Sequence, residues 1–208
     1  MKNINDINFK GKRALIRVDF NVPLDKSFQV TDDNRIRATV PTIKKILSDG
    51  GSCVLMSHLG RPKEGPEEKY SLKHTIKTAE KLLGTNVKFT SDCIGDDAFG
   101  QSAALKPGEV LILENLRFYK QEEKGDLGFA EKLSKHGDIY VNDAFGTAHR
   151  AHASTTIVAQ FFKDKCAGYV MAAELDNAKK VLENSERPFT AIMGGAKISD
   201  KILIVQKL

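Results

Sequence analysis

Five short runs of apolar and β-branched residues recur along the chain: "ALIRVDF" (14–20), "SCVLMSH" (52–58), "EVLILEN" (109–115), "DIYVNDA" (138–144) and "FTAIMGG" (189–195). Their apolar cores are nearly continuous, the pattern of strands buried on both faces. Between them the apolar positions fall three and four apart. Ile36, Val40, Ile43 and Leu47 share one helical face, and Pro41 predicts that regular helix begins near that residue rather than at Arg35. Leu72, Ile76, Ala79 and Leu83 repeat the spacing between Ser71 as N-cap and Gly84 as C-cap. Met171, Leu175, Ala178 and Leu182 do so until the turn signal "NSERP" (184–188).

Strand alternating with helix implies right-handed βαβ crossovers. The expected fold is α/β: a three-layer αβα (Rossmann-like) domain around a parallel sheet, then a connecting helix and the start of a second α/β domain. The expected boundaries are 1–169, 170–186 and 187–208. A single βα unit cannot bury both faces of its strand, so the last segment is expected to begin something longer, and the chain to be truncated.

At 208 residues and 41% hydrophobic, the chain has enough apolar material for a packed core. It contains no stretch of eighteen apolar residues, and its first twenty residues lack the apolar run of a secretory signal, so a cytoplasmic protein without membrane attachment is expected. Three cysteines without CxxC spacing suggest neither a disulfide framework nor a zinc site. A net charge of +5 favours anionic partners. Lys and Arg are dispersed and aromatics make up only 7%, which disfavours nucleic acid and leaves small anionic ligands.

In open α/β sheets, ligands bind beyond the carboxyl ends of the strands. There the chain places Asp19 and Asn21, then His58 and Arg61 in "HLGRP", then Arg117 in "NLRF", then Arg150 in "NDAFGTAHRAHAS" (142–154). Three arginines without matching acids would repel one another unless an anion sat between them, and guanidinium forks suit phosphate and carboxylate. Asp19 and Asn21 are placed to orient a hydroxyl. His149 and His152 sit three apart with no third ligand at a recognisable spacing, so no metal site is expected. His136 reads as a histidine at a helix C-terminus. In "MGGAKISDK", glycines between strand and helix allow close backbone approach to a phosphate, with Lys197 and Lys201 on one helical face. The GxxxxGK[ST] pattern is absent.

The blocks "RVDFNVP", "SHLGRP", "LENLRF", "GDIYVNDAFGTAHRAHAS" and "GGAKISDK", in this order, resemble phosphoglycerate kinase. The resemblance covers essentially the whole chain as the family's N-terminal, phosphoglycerate-binding domain, the connecting helix and the first βα unit of the nucleotide-binding domain. It implies reversible phosphoryl transfer from 1,3-bisphosphoglycerate to ADP, giving 3-phosphoglycerate and ATP, with Mg2+ on the nucleotide and a monomeric parent enzyme. It also implies that Asp19, Asn21, Arg35, His58, Arg61, Arg117 and Arg150 form the phosphoglycerate site. Arg35, which strand-end spacing does not single out, would face the transferring phosphoryl group. Lys197 would guide that group, Lys201 would contact nucleotide phosphate, and Gly194 and Gly195 would allow close backbone approach. Because most nucleotide contacts would lie elsewhere, the chain alone is expected to be nearly inactive. The alternative is a non-catalytic module binding anions or nucleic acid through its basic cleft. A dinucleotide-dependent oxidoreductase is disfavoured, since no GxGxxG follows the first strand.

Overall fold

The computed structural model describes residues 2–63, 65–183, 188, 190 and 192. The chain divides into two compact units, residues 1–171 and 172–208.

In the first unit, a seven-stranded sheet contains β1 (Lys2–Asn3), β2 (Arg13–Arg17), β3 (Ser52–Met56), β4 (Val87–Phe89), β5 (Val110–Ile112), β6 (Ile139–Asn142) and β7 (Lys165–Ala167), in the order β1-β7-β6-β2-β3-β5-β4. Every pairing is parallel. The four central strands are the four apolar runs before residue 145. The outer strands β1, β4 and β7 were not foreseen in the hydrophobic pattern.

Alternation along the strands sends side chains to opposite faces. Ala14 and Ile16 of β2 join Leu55 and Val141 in a core closed by α1 (Asn34–Ser48) and α2 (Ile76–Leu83). Leu15 joins Val54, Leu111 and Tyr140 on the other face, covered by Phe129, Ala130 and Leu133 of α5 (Leu127–Ser134). The remaining helices of this unit are α3 (Asp96–Ala103), α4 (Lys120–Lys124), α6 (Phe145–Ala148) and the start of α7 (Tyr169–Glu183). The outcome is the expected three-layer α/β architecture.

Two local expectations need correction. Helix α1 begins at Asn34 and runs through Pro41. Pro41 lies on the solvent face, where water can satisfy the carbonyl it leaves unpaired, while Ile36, Ile43 and Ile46 anchor the buried face on both sides of it. Ser71 does cap a helical start, accepting from Lys73 N–H, but the first turn, Leu72–Thr75, is 3₁₀. Gly84 ends α2 at φ +73°, as expected of a C-cap glycine.

In the second unit, α7 continues to Glu183 with exposed Leu175, Val181 and Leu182 and an ion pair between Lys179 and Glu183 at 3.8 Å. Gly194, Gly195, Lys197 and Lys201 lie outside the described residues, as does nearly all of the strand expected at 189–195. Among the described residues, no helix is long and apolar enough to cross a membrane.

Candidate functional site

The adjacent order β6-β2-β3-β5 brings four strand ends to one stretch of the sheet edge. After β2 the chain builds β3 to β5 on one side and then crosses to β6 on the other, which makes the β2/β6 boundary a topological switch point. Here a cavity of about 320 Å³ is lined by Asp19, Asn21, Arg35, His58, Arg61, Arg117 and Arg150, together with Gly60, Gly146 and Thr147. The seven residues expected at the first-domain site therefore share one cavity.

The loops after β2, β3 and β5, the segment after β6 and the start of α1 supply them. Asp19 accepts Asn21 N–H at 3.2 Å and pairs with Arg35 Nη1 at 2.6 Å. Arg35 is the second residue of α1, where the helix dipole disfavours a cation, and Asp19 offsets that cost. Asn21 Oδ1 accepts Gly60 N–H at 2.8 Å, and the Gly60 carbonyl accepts from Arg117 Nη1 at 2.8 Å. Arg117 Nε also lies 3.3 Å from Glu123. The pairing of Asp19 with Arg35, and Glu123 as the acid for Arg117, were not foreseen in the sequence. Burial lowers the pKa of Arg117, helped by neighbouring Arg150, Arg17 and Arg61 and opposed by Glu123. Arg150 is anchored through its carbonyl, which accepts from Thr155 Oγ1 at 2.7 Å.

Four guanidiniums against one carboxylate give the lining side chains a net charge of +3, with His58 neutral. Burial, then the cations Arg17, Arg117, Arg150 and Arg35, push the His58 pKa down to about 2. This composition suits a small polyanion carrying more than one phosphate or carboxylate group.

Several supporting residues escaped the sequence reading. Asn115 is fully buried; its Nδ2 donates to the carbonyls of Leu59 and Tyr70 at 2.7 and 2.9 Å, and its Oδ1 accepts from the N–H groups of Leu59 and Arg117. It staples the loop after β3 to the loop after β5. Ser57 Oγ accepts Phe20 N–H at 2.8 Å and so fastens the loop after β2. Arg17, Glu122 and Ser154 form a buried polar chain behind His58. Charged residues inside apolar strands carry no local mark of where their partners lie.

His136 is more than a C-terminal histidine. It is buried, with Nδ1 at 2.8 Å from Ser102 Oγ and Nε2 at 2.8 Å from the Cys93 carbonyl, and burial lowers its pKa. His149 lies beside Arg150, whereas His152 faces Glu122 at 3.9 Å. Among the described residues, no cluster of three or more His, Cys, Asp or Glu side chains is arranged to hold a metal.

Fold and cavity together define a doubly wound α/β domain with a cationic cavity at its sheet edge. The family model for phosphoglycerate kinase matches residues 4–208, and the chain belongs to that family. It is 49% identical to a phosphoglycerate kinase of Porphyromonas gingivalis, over 99% of this chain and 55% of that protein. It is 51% identical to a chloroplastic phosphoglycerate kinase of Volvox carteri, over 100% of this chain and 46% of that one. The solved phosphoglycerate kinase of Coxiella burnetii superimposes with a TM-score of 0.88 at 36% identity, covering 99% of this chain and 51% of that structure. The chain spans about half the length of the curated relatives it matches.

Proposed function

We propose that the chain supplies the phosphoglycerate-binding half of a phosphoglycerate kinase, which moves a phosphoryl group reversibly between 1,3-bisphosphoglycerate and ADP. The observation that carries this reading is the cavity at the β2/β6 switch point, where Arg35, Arg61, Arg117 and Arg150 surround a space with one carboxylate at its edge. In 3-phosphoglycerate a phosphate and a carboxylate flank a hydroxyl. The guanidiniums suit the two anionic ends, and Asp19 and Asn21 suit the hydroxyl. Phosphoryl transfer asks little covalent chemistry of the protein; positioning and charge stabilisation dominate, which accords with a site rich in arginine and without an activated nucleophile. Arg35, exposed at the first turn of α1, is assigned to the transferring group.

By family resemblance, Lys197 would guide the phosphoryl group, Lys201 would meet nucleotide phosphate, and Gly194 and Gly195 would let backbone approach it. Residues 1–169 would form the acceptor domain, 170–186 a connecting helix and 187–208 the opening of a nucleotide-binding domain. ATP or ADP would carry Mg2+ with it. The described residues offer no ligand set that fits the metal, so no step is routed through it. A monomer in the cytoplasm, without nucleic-acid or membrane partners, completes the reading. The free, buried thiols of Cys53, Cys93 and Cys166 accord with a reducing compartment.

Calorimetric titration of the 208-residue chain with 3-phosphoglycerate at low salt, beside Arg150→Ala, tests the site. Saturable binding that the substitution weakens is expected. A folded chain that ignores 3-phosphoglycerate yet binds RNA with steep salt dependence would replace this reading with a nucleic-acid module. A coupled ATP assay of the same chain is expected to show negligible turnover, and turnover near that of a full-length relative would overturn the division of labour.

A further inference from the structure

We propose that Arg17 is a positioning residue that fixes His58 as the neutral tautomer with its proton on Nε2, so that the cavity is offered an uncharged N–H donor. The tautomer stands on geometry alone; what that donor meets rests on the phosphoglycerate reading above.

The alternation of β2 puts Arg13, Leu15 and Arg17 on one face, so Arg17 enters the layer that holds Tyr140 and the π-helical turn Ala153–Ile157. It is 1% exposed. Its Nε donates to Ser154 Oγ at 2.9 Å, its Nη1 to the Val18 carbonyl, and its Nη2 lies 3.1 Å from His58 Nδ1. A guanidinium has donors and no acceptor. In the Arg17–His58 contact the imidazole must therefore accept, and only a bare Nδ1 can do so. Placing a proton on Nδ1, as the other tautomer or as imidazolium, would set two N–H groups against each other. The same contact excludes both forms and leaves the proton on Nε2. That nitrogen has no hydrogen-bond partner among the described residues and is not one of their sealed, unpartnered polar atoms, so it lies on the open side of a ring that lines the cavity.

The guanidinium is held against rotation by a compensating charge one hydroxyl away. Ser154 Oγ accepts from Arg17 and donates to Glu122 Oε1 at 2.5 Å, while Ser154 N–H donates to Glu122 Oε2 at 3.0 Å. Glu122 is 1% exposed, so the pair is buried and bridged rather than in direct contact. Buried charges persist where hydrogen bonds satisfy them, and such chains fix geometry. The charged groups around His58 are Arg17 from β2, Asp19 beyond it, Arg35 from α1, Arg61 on the same loop as His58, Arg117 after β5 and Arg150 after β6; Arg17, Arg117, Arg150 and Arg35 oppose its protonation. A neutral donor adds direction to a site whose charge already comes from arginines, and keeps that direction constant across ordinary pH.

Long-range 1H–15N spectra of the histidine-labelled 208-residue chain, recorded from roughly pH 5 to 8, read the tautomer directly. Loss of one signal set in His58→Gln assigns it. An unprotonated Nδ1 and a protonated Nε2 that do not titrate are expected; a protonated Nδ1, or titration within that range, overturns the proposal. Arg17→Met, which removes the donor, is expected to mix the tautomers or bring His58 into titration, and Arg17→Lys to restore the Nε2 form in part. An unchanged tautomer in folded Arg17→Met overturns Arg17's role. Where Arg17→Met fails to fold, the unsubstituted spectrum still decides the tautomer and Ser154→Ala, which releases the Arg17 Nε anchor, tests the positioning, a change in the His58 signals being expected and none overturning its role. Addition of 3-phosphoglycerate is expected to shift the Nε2–H signal. Saturable binding by a chain whose His58 carries its proton on Nδ1 sinks this inference and spares the proposed function. The expected tautomer in a chain that ignores 3-phosphoglycerate sinks the proposed ligand and spares the tautomer.

Discussion

The ring of Tyr70 stands where a Cβ on Gly60 would go, and Gly60 itself holds φ +62°. Its peptide lies between Asn21 and Arg117, donating to one and accepting from the other. Any side chain at residue 60 therefore displaces an aromatic ring, strains the backbone and disturbs two cavity residues together. Gly60→Ala is expected to lose about 1–3 kcal/mol of stability in urea denaturation. Adding Tyr70→Ala should relieve the overlap and leave the backbone strain. A single substitution as stable as the parent chain would show that the ring does not confine the loop.

Arg117 and Arg61 should respond differently to lysine. Arg117 spends its fork on the Gly60 carbonyl and Glu123, whereas Arg61 makes no hydrogen bond to the protein among the described residues. A lysine keeps the charge and loses the fork. Titration with 3-phosphoglycerate is expected to show roughly tenfold or greater weakening in Arg117→Lys. Arg61→Lys should weaken binding less, and the reverse order would mean that the bonds of Arg117 to Gly60 and Glu123 do not govern ligand binding.

Acid should destabilise the domain through its buried histidines. The pKa of His58 is lowered to about 2 and that of His136 is lowered by burial, both from an ordinary 6.5. Above 6.5 both states hold these rings neutral, and the stability they permit is fully present. As pH falls below 6.5 the unfolded chain takes up protons that the folded chain refuses, and stability declines towards the folded pKa values. Denaturation midpoints measured from pH 7 down to 4 should fall, less steeply in His58→Gln. Equal slopes would place the proton uptake elsewhere.

Asp143 offers a test of a buried carboxylate. Its Oδ1 accepts from the N–H groups of Val170 and Met171 at 2.9 and 3.4 Å, at the start of α7, and its Oδ2 is sealed without a partner among the described residues. Burial raises its pKa above 3.8, so ionisation costs stability as pH rises through the folded value. Asp143→Asn keeps the Oδ1 acceptor and should change stability at neutral pH by no more than about 1 kcal/mol, gaining on the parent chain as pH rises. Asp143→Ala should lose about 1–2 kcal/mol, because it strips the helix start of its acceptor. Equal losses in both variants would exclude the capping role.

The legible part of the fold was the part buried on both faces. β2, β3, β5 and β6 write their environment into uninterrupted apolar runs, whereas β7 is only Lys165, Cys166 and Ala167 and takes its pairing from β6 and β1. Pro41 misled because the packing of Ile36, Ile43 and Ile46 outweighs one missing hydrogen bond. At the site, Asp19, Asn21, His58, Arg61, Arg117 and Arg150 were visible because each follows an apolar run. Arg35 follows none; it comes from a helix start and was reached through family resemblance. Arg17 looked like one more strand residue, and its partner Ser154 lies 137 residues away. Asn115 and Glu122 act by closing bonds between segments, which spacing along one segment cannot reveal.

The pairing of β1 with β7 joins Lys2 to Cys166 and Asn3 to Ala167. On a ribosome, β1 emerges first and must wait for β7, while β2 waits for β6 before its second neighbour exists. Pulse proteolysis of nascent chains stalled at increasing lengths should show protection arriving late, after β7 clears the exit tunnel. Chains stalled before that point are expected to present unpaired strand edges, which invite pairing with other chains.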